Sequence, residues 1–169
     1  MDIGAMNDEE LLQLFKNASH ILLKGPNKAA ELAVIEIERE WKIRLDLARA
    51  GKYPGQLPQT GMLATLGYHV GNTEGIKTPI RRRILKHLLE RQLPMVQSPA
   101  YTDEWGAPNS SQRYKKLIRF LESQLDNPHN NNRPNMERSM IEWREDVEWI
   151  QTTFSHLTLD PDLVASCAQ

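Results

Sequence analysis

The sequence predicts an all-α protein, a compact bundle of about five main helices and one short helix. Apolar residues recur at helical spacing in five long segments, and capping residues, glycine or proline bound these segments. No run alternates between apolar and polar residues for long enough to predict a strand. Residues 68–70 are the one place where a very short strand is allowed. The 169 residues are 40% hydrophobic and 25% charged, which suits one soluble domain with a sizeable core.

The first two helices form a predicted N-terminal hairpin over residues 1–52. Asn7 is a good N-cap, and the acidic residues that follow it lie where the helix dipole favours negative charge. This helix runs to Lys24, before a glycine and a proline. Asn27 caps the second helix, which runs to Ala50.

The second helix is apolar on two sides. One stripe contains Val34, Ile37, Trp41, Leu45 and Ala48, and the opposite stripe contains Leu32, Ile43, Leu47 and Ala50. Such a helix is buried between neighbouring helices, or it covers its second side with a partner chain. Because burying each large side chain contributes roughly 1.5–3 kcal/mol, an exposed second stripe is hard to explain in a monomer. Leu32, Ile43 and Leu47 are therefore the candidate partner interface.

Residues 53–157 form the predicted helical core module, on which the hairpin packs, and residues 158–169 form a tail. A short helix is expected at 62–66. The N-caps predicted for the three long helices of the module are Thr78, Ser110 or Ser111, and Asn135. The segments between these helices are rich in glycine, proline and asparagine, and we expect them to be irregular.

Charge is strongly segregated along the chain, although the net charge is only −1. Residues 77–119 contain ten Lys or Arg and three Asp or Glu. Residues 120–169 contain three Lys or Arg and nine Asp or Glu. This asymmetry indicates a basic surface that attracts nucleic-acid phosphates, an electrostatic clasp between two helical segments, or an acidic protein partner.

Two consecutive helices present basic side chains away from their apolar stripes, and the segment between them carries aromatic residues. Basic groups neutralise phosphates, and aromatic rings stack on bases. The candidate nucleic-acid-binding residues are Arg82, Arg83, Lys86, Arg113, Lys115, Lys116, Arg119, Tyr101 and Trp105. The segment between the short helix and the Thr78 helix is too long for a helix-turn-helix.

Arg81 differs from the other basic residues of its helix because it projects toward the apolar sector. A buried arginine needs a partner that offsets its desolvation, and Asp146 or Glu142 of the last helix is a suitable one. The alternative is that Arg81, which lies in the first turn of its helix, extends to water.

The sequence predicts no metal site, no cofactor and no catalytic residue. The five histidines lack ligand spacing, and no phosphate-binding glycine motif is present. Cys167 is the only cysteine, which agrees with a reducing cytoplasm. We see no signal peptide, and the longest apolar runs are too short to span a membrane.

The leading hypothesis is a non-catalytic nucleic-acid-binding or adaptor protein that contacts phosphates through the basic face of two helices. The alternative is a protein-interaction module or assembly subunit that uses the second stripe, in a homodimer or in a complex with another protein. A small enzyme is the third hypothesis, and it requires a pocket that joins His69 to Asp103 or Glu104.

Overall fold

The computed structural model describes residues 2–131, 133 and 135–158, and every regular element among them is helical. The five long helices are α1 (Asp8–Lys24), α2 (Lys28–Arg49), α4 (Thr78–Glu90), α6 (Ser111–Asp126) and α8 (Glu137–Thr153). The short helices are α3 (Met62–Thr65), α5 (Pro99–Asp103) and α7 (Pro128–Asn131), and 3₁₀ turns span Ile3–Ala5 and Ser155–Thr158. The predicted all-α bundle is confirmed.

The chain forms two compact units, and neither is one continuous segment. The first unit combines residues 1–67 with 91–104, and the second combines 68–90 with 105–169. The predicted hairpin, residues 1–52, lies within the first unit together with α3 and α5. Of the predicted tail, only Thr158 lies within the described residues.

The first unit is built on the antiparallel hairpin of α1 and α2. Asn7 caps α1 in a capping box, in which its side chain accepts from the Glu10 N–H and Glu10 accepts from the Asn7 N–H. The rings of Phe15 and Trp41 pack across the hairpin with centroids 5.0 Å apart. The first predicted stripe of α2 is buried, as expected, at Val34, Ile37, Trp41 and Leu45.

Within the first unit, residues 91–104 contact residues 1–67 through polar groups, and they contain a buried apolar run. Gln97 donates its N–H to the Pro58 carbonyl at 2.8 Å, and Arg91 Nε lies 2.9 Å from Glu38 Oε1. Leu93 is 1% exposed, which makes it part of the core.

In the second unit, α8 packs against both α4 and α6. The apolar faces that meet there include Leu85, Leu88, Leu117, Leu121 and Ile150, each of which is fully buried. This arrangement brings the acidic last helix against the two basic helices.

Several local predictions are wrong. Helix α5 was not expected, although Ser98 caps it and Pro99 is its first residue, a standard helix start. Thr78 is the first residue of α4 itself, because the Lys77 carbonyl accepts from the first helical N–H groups.

Further differences lie near 68–70 and around α7. No strand forms at 68–70, and α7 lies in a segment that was expected to be an irregular loop. Asn135 does not cap α8: Met136 precedes the helix in a turn closed by its N–H bond to the Arg133 carbonyl.

Within the part of the chain that the structure describes, no helix combines the length and apolar character needed to cross a membrane.

Candidate nucleic-acid interface

The side chain of Arg81 is completely buried in the second unit and is surrounded by the acidic groups of α8. Its Nε donates to Asp146 Oδ2 at 2.8 Å, and its Nη1 donates to the Ile76 carbonyl at 3.1 Å. Nη1 also lies 3.2 Å from Glu142 Oε1, and Nη2 lies 3.6 Å from Glu145 Oε2. The predicted pairing of Arg81 with α8 is confirmed, and the alternative that it extends to water is wrong.

Arg81 and Asp146 form a buried ion pair. Burial alone lowers the pKa of Arg81, but the hydrogen bonds and the charge of Asp146 outweigh that effect and raise it. Burial raises the pKa of Asp146, and the hydrogen bonds from Arg81 and Tyr68 oppose this rise. Because a guanidinium stays protonated in proteins, its charge favours the ionised form of the carboxylate.

The same carboxylates fasten the irregular segment 68–77 to α8. Tyr68 Oη donates to Asp146 Oδ2 at 2.8 Å, and the Gly71 N–H donates to Glu142 Oε2 at 2.7 Å. Burial and the adjacent charge of Asp146 raise the pKa of Tyr68, so its hydroxyl remains a hydrogen-bond donor. The segment that leads into α4 is therefore positioned by the last helix of the chain.

Gly71 is required at its position for two independent reasons. Its φ is +95°, which L side chains rarely adopt. A Cβ atom built on it would lie 2.5 Å from Ser139 Oγ, a buried group of α8. Sequence analysis detected only the glycine-rich character of this segment, since the close approach to α8 is a tertiary contact.

The acidic groups of α8 that face α4 therefore contact Arg81 and not the outward basic side chains. Within the described residues, no carboxylate lies at ion-pair distance from Arg82, Arg83, Lys115 or Arg119. The electrostatic clasp anticipated from the charge pattern exists, but at Arg81.

Of the arginine and lysine residues of α4, Lys86 is the exposed one. Arg82 is half-buried, with its guanidinium carbon 5.4 Å from the centre of the Trp149 ring. Arg83 is also half-buried, and desolvation lowers its pKa. Lys86 is exposed, and its Nζ lies 3.9 Å from Glu90 Oε2, a long contact on the surface.

The basic residues of α6 lie in its first half. Lys115 and Arg119 are exposed and one helical turn apart. Lys116 is half-buried, with its Nζ 5.1 Å from the centre of the Trp105 ring.

Arg113 and Trp105, two of the expected surface residues, are buried at 3% and 2% exposure. The Arg113 guanidinium donates to the carbonyls of Leu88 at 3.0 Å and of Gly106 at 2.5 Å, and burial lowers its pKa to about 10. These contacts position the end of α4 beside the start of α6. Because both are buried, neither Arg113 nor Trp105 is available to an external ligand.

The end of α4 lies beside the start of α6 in the second unit. The Asn109 N–H donates to the Leu89 carbonyl at 2.8 Å, next to the contact of Arg113 with Leu88. Lys86 lies about one turn before this junction, and Lys115 lies about one turn after it. We name the six residues Arg82, Arg83, Lys86, Lys115, Lys116 and Arg119 the cationic surface.

Tyr101, the remaining candidate, belongs to the first unit. It lies in α5, and its hydroxyl accepts a hydrogen bond from the Met62 N–H at 3.3 Å. Asp103, which the enzyme hypothesis used, forms an ion pair with Arg49. His69 lies in the second unit with its Nδ1 3.7 Å from Glu74 Oε2.

The second apolar stripe of α2 faces solvent. Leu32, Ile43 and Leu47 are 52%, 46% and 40% exposed, and Ile35 is 50% exposed. Sequence analysis missed Ile35, although it lies three residues after Leu32 and so shares that side of the helix. We name these four residues the α2 stripe.

A cavity of about 560 Å³ lies in the first unit, near the start of α1 and the end of α2. Its main polar feature is Arg44, whose side chain pairs with Asp8 at 2.9 Å and with Glu40 at 2.8 Å. None of its lining residues is a histidine, cysteine, serine or lysine. Among the described residues, no group of three His, Cys, Asp or Glu side chains has a metal-binding arrangement.

Comparisons with protein-family models, with curated proteins and with solved structures find no match for this chain.

Replacing Arg81 with methionine should lower the free energy of unfolding by about 3–5 kcal/mol, because Asp146 and Glu142 would remain buried without their cation. Urea denaturation followed by circular dichroism measures this loss. Arg83→Met is the matched control, since Arg83 is on the same helix and forms no ion pair with the described residues. Equal losses for the two variants would contradict the importance of the buried pair.

Gly71→Ala should destabilise the second unit, both through strain at positive φ and through the contact of its Cβ with Ser139 Oγ. In a Ser139→Ala background, Gly71→Ala should lower the free energy of unfolding by less, because the contact with Ser139 Oγ is absent. Only the strain at positive φ then remains. The comparison of the two urea midpoints separates the effects. An identical loss in both backgrounds would exclude the contact with Ser139.

Proposed function

We propose that this protein binds nucleic acid without catalysing a reaction, and that the cationic surface contacts the phosphates. The observation that carries the proposal is that the acidic groups of α8 are engaged by Arg81. Three cations on α4 and α6 have no carboxylate at ion-pair distance among the described residues: Arg83, Lys115 and Arg119. The charge of Arg82, in contrast, also acts on Asp146. Cations that have no carboxylate partner attract a polyanion such as nucleic acid.

The chemistry favours contacts to phosphates over the reading of base sequence. Lys86, Lys115 and Arg119 are exposed on helix faces, and the two candidate aromatics have their rings in structural positions: Trp105 is buried, and Tyr101 supports α3. Binding by this surface would therefore depend mainly on charge and would discriminate weakly between sequences. A cytoplasmic location would give it access to nucleic acid, and a chain with one cysteine forms no internal disulfide there.

The test is a fluorescence-anisotropy titration of a short labelled duplex and a short labelled single strand, from about 50 to about 200 mM salt. We expect affinity to fall steeply with salt. Lys115→Gln combined with Arg119→Gln should reduce the slope of log K against log salt by about two, or about one for each lost phosphate contact.

The matched control is Lys24→Gln combined with Lys52→Gln, which removes the same charge from exposed positions of the first unit. This control should retain the wild-type slope. Absence of binding to both probes at about 50 mM salt, or an equal effect of the two double variants, would overturn the proposal.

A second candidate function, a protein-interaction module, is favoured by the exposure of the α2 stripe. Four large aliphatic side chains on one helix side, each at least 40% exposed, form an apolar surface of the kind that partners cover. Charged pairs lie among and beside these side chains, with Arg39 bonded to Glu36 at 2.5 Å and Lys42 to Asp46 at 2.8 Å.

This second candidate requires that the stripe does not contribute to the core of the isolated chain. Ile43→Asp should therefore change the free energy of unfolding by no more than about 0.5 kcal/mol, measured at the lowest protein concentration that gives a signal. Ile37→Asp on the buried side of the same helix should prevent folding or reduce stability severely. A large loss for Ile43→Asp would show that the stripe is core and would reject the interface.

A further inference from the structure

The α2 stripe is spaced almost symmetrically about Arg39. Ile35 and Ile43 lie four residues before and four after it, and Leu32 and Leu47 lie seven before and eight after. A two-fold interface between identical chains brings residue i of one copy against residue j of the other, and j against i. Antiparallel helices related in this way need an apolar pattern that reads nearly the same in both directions, and the α2 stripe has one.

We infer that the α2 stripe is covered by a second copy of this chain, with the two α2 helices antiparallel and the two-fold axis near Arg39. This inference rests on the second candidate function and names its partner. Leu32 would pack against Leu47 of the partner subunit, and Ile35 against Ile43 of the partner subunit. All four side chains, each about half exposed in one copy, would then leave water.

The charges beside the stripe distinguish antiparallel from parallel packing. Helical spacing puts Glu31 and Arg49 on the same edge of the stripe, eight residues before and ten after Arg39. In the antiparallel pair, Glu31 lies opposite Arg49 of the partner subunit. There it would join the ion pairs that each Arg49 makes with Asp46 and Asp103. In a parallel two-fold pair the two copies of this edge would lie on opposite sides of the interface, so Glu31 would have no Arg49 opposite it.

Arg39, at the centre of the α2 stripe, favours one register of the two α2 helices. Arg39 is the charged residue in the middle of the apolar row, 69% exposed and bonded to Glu36. At the two-fold axis, two Arg39–Glu36 pairs would lie side by side, and each guanidinium would reach carboxylates of both copies. A single polar residue within an apolar helix interface is known to fix register at some cost in stability.

The first measurement is the oligomeric state, by light scattering after size exclusion across a range of protein concentrations. We expect a dimer for the wild type and a monomer for Ile43→Asp. Ile141→Asp is the matched control: Ile141 lies on α8 and is 46% exposed, as Ile43 is. This control should dimerise like the wild type. A wild type that stays monomeric, or equal weakening by the two variants, would overturn the inference.

The second measurement tests the register, in a Cys167→Ser background with mild oxidation. Arg39→Cys, at the axis, should form a disulfide-linked dimer with itself. Glu31→Cys should not, but it should cross-link to Arg49→Cys when the two proteins are mixed. Self-cross-linking of Glu31→Cys would overturn the antiparallel arrangement.

The dimer and the interface itself can be rejected separately. A monomeric wild type in which Ile43→Asp is as stable as the wild type rejects the second copy and retains the exposed interface. Strong destabilisation of monomeric Ile43→Asp rejects the interface itself.

Discussion

The buried charge of Arg81 constrains the second unit more than any other group. A guanidinium cannot give up its charge, and removing it from water is costly unless charged partners surround it. Asp146, Glu142 and Glu145 supply those partners from α8. The contact joins the first turn of α4 to the middle of the last helix, and the hydrogen bonds of Tyr68 and Gly71 add the preceding segment to the same cluster.

This one contact changes how the charge pattern of the chain is interpreted. A basic stretch followed by an acidic stretch suggests broad mutual neutralisation, in which the two sets of side chains cover each other. In the structure one arginine engages three carboxylates of α8, and Lys86, Lys115 and Arg119 of α4 and α6 remain exposed. The segregation therefore stabilises the fold and, in our proposal, also leaves a surface for polyanions.

In the first unit the corresponding constraint is an excess of apolar surface. The hairpin of α1 and α2 buries one side of α2 through Phe15, Trp41 and their neighbours. The opposite side keeps four aliphatic residues in water, and the chain balances the charges beside them within α2 itself. The charges near the α2 stripe are paired within α2, and the stripe reads nearly the same in both directions. We therefore infer that a second copy of the same helix covers it.

The sequence alone determined the helical class, the five long helices and the two apolar sides of α2, and it offered Asp146 or Glu142 as a partner for Arg81. These follow from local physics: periodicity shows which side of a helix is apolar, and a charge on that side must find an opposite charge. Tertiary structure decided that Gly71 lies against Ser139, that Arg113 is buried beside Leu88, and that Trp105 is core. Whether an amphipathic side chain is covered depends on which segments meet, and spacing within one helix carries no information about its neighbours. For the same reason the sequence showed that α2 has two apolar sides, and only the fold showed which side faces water.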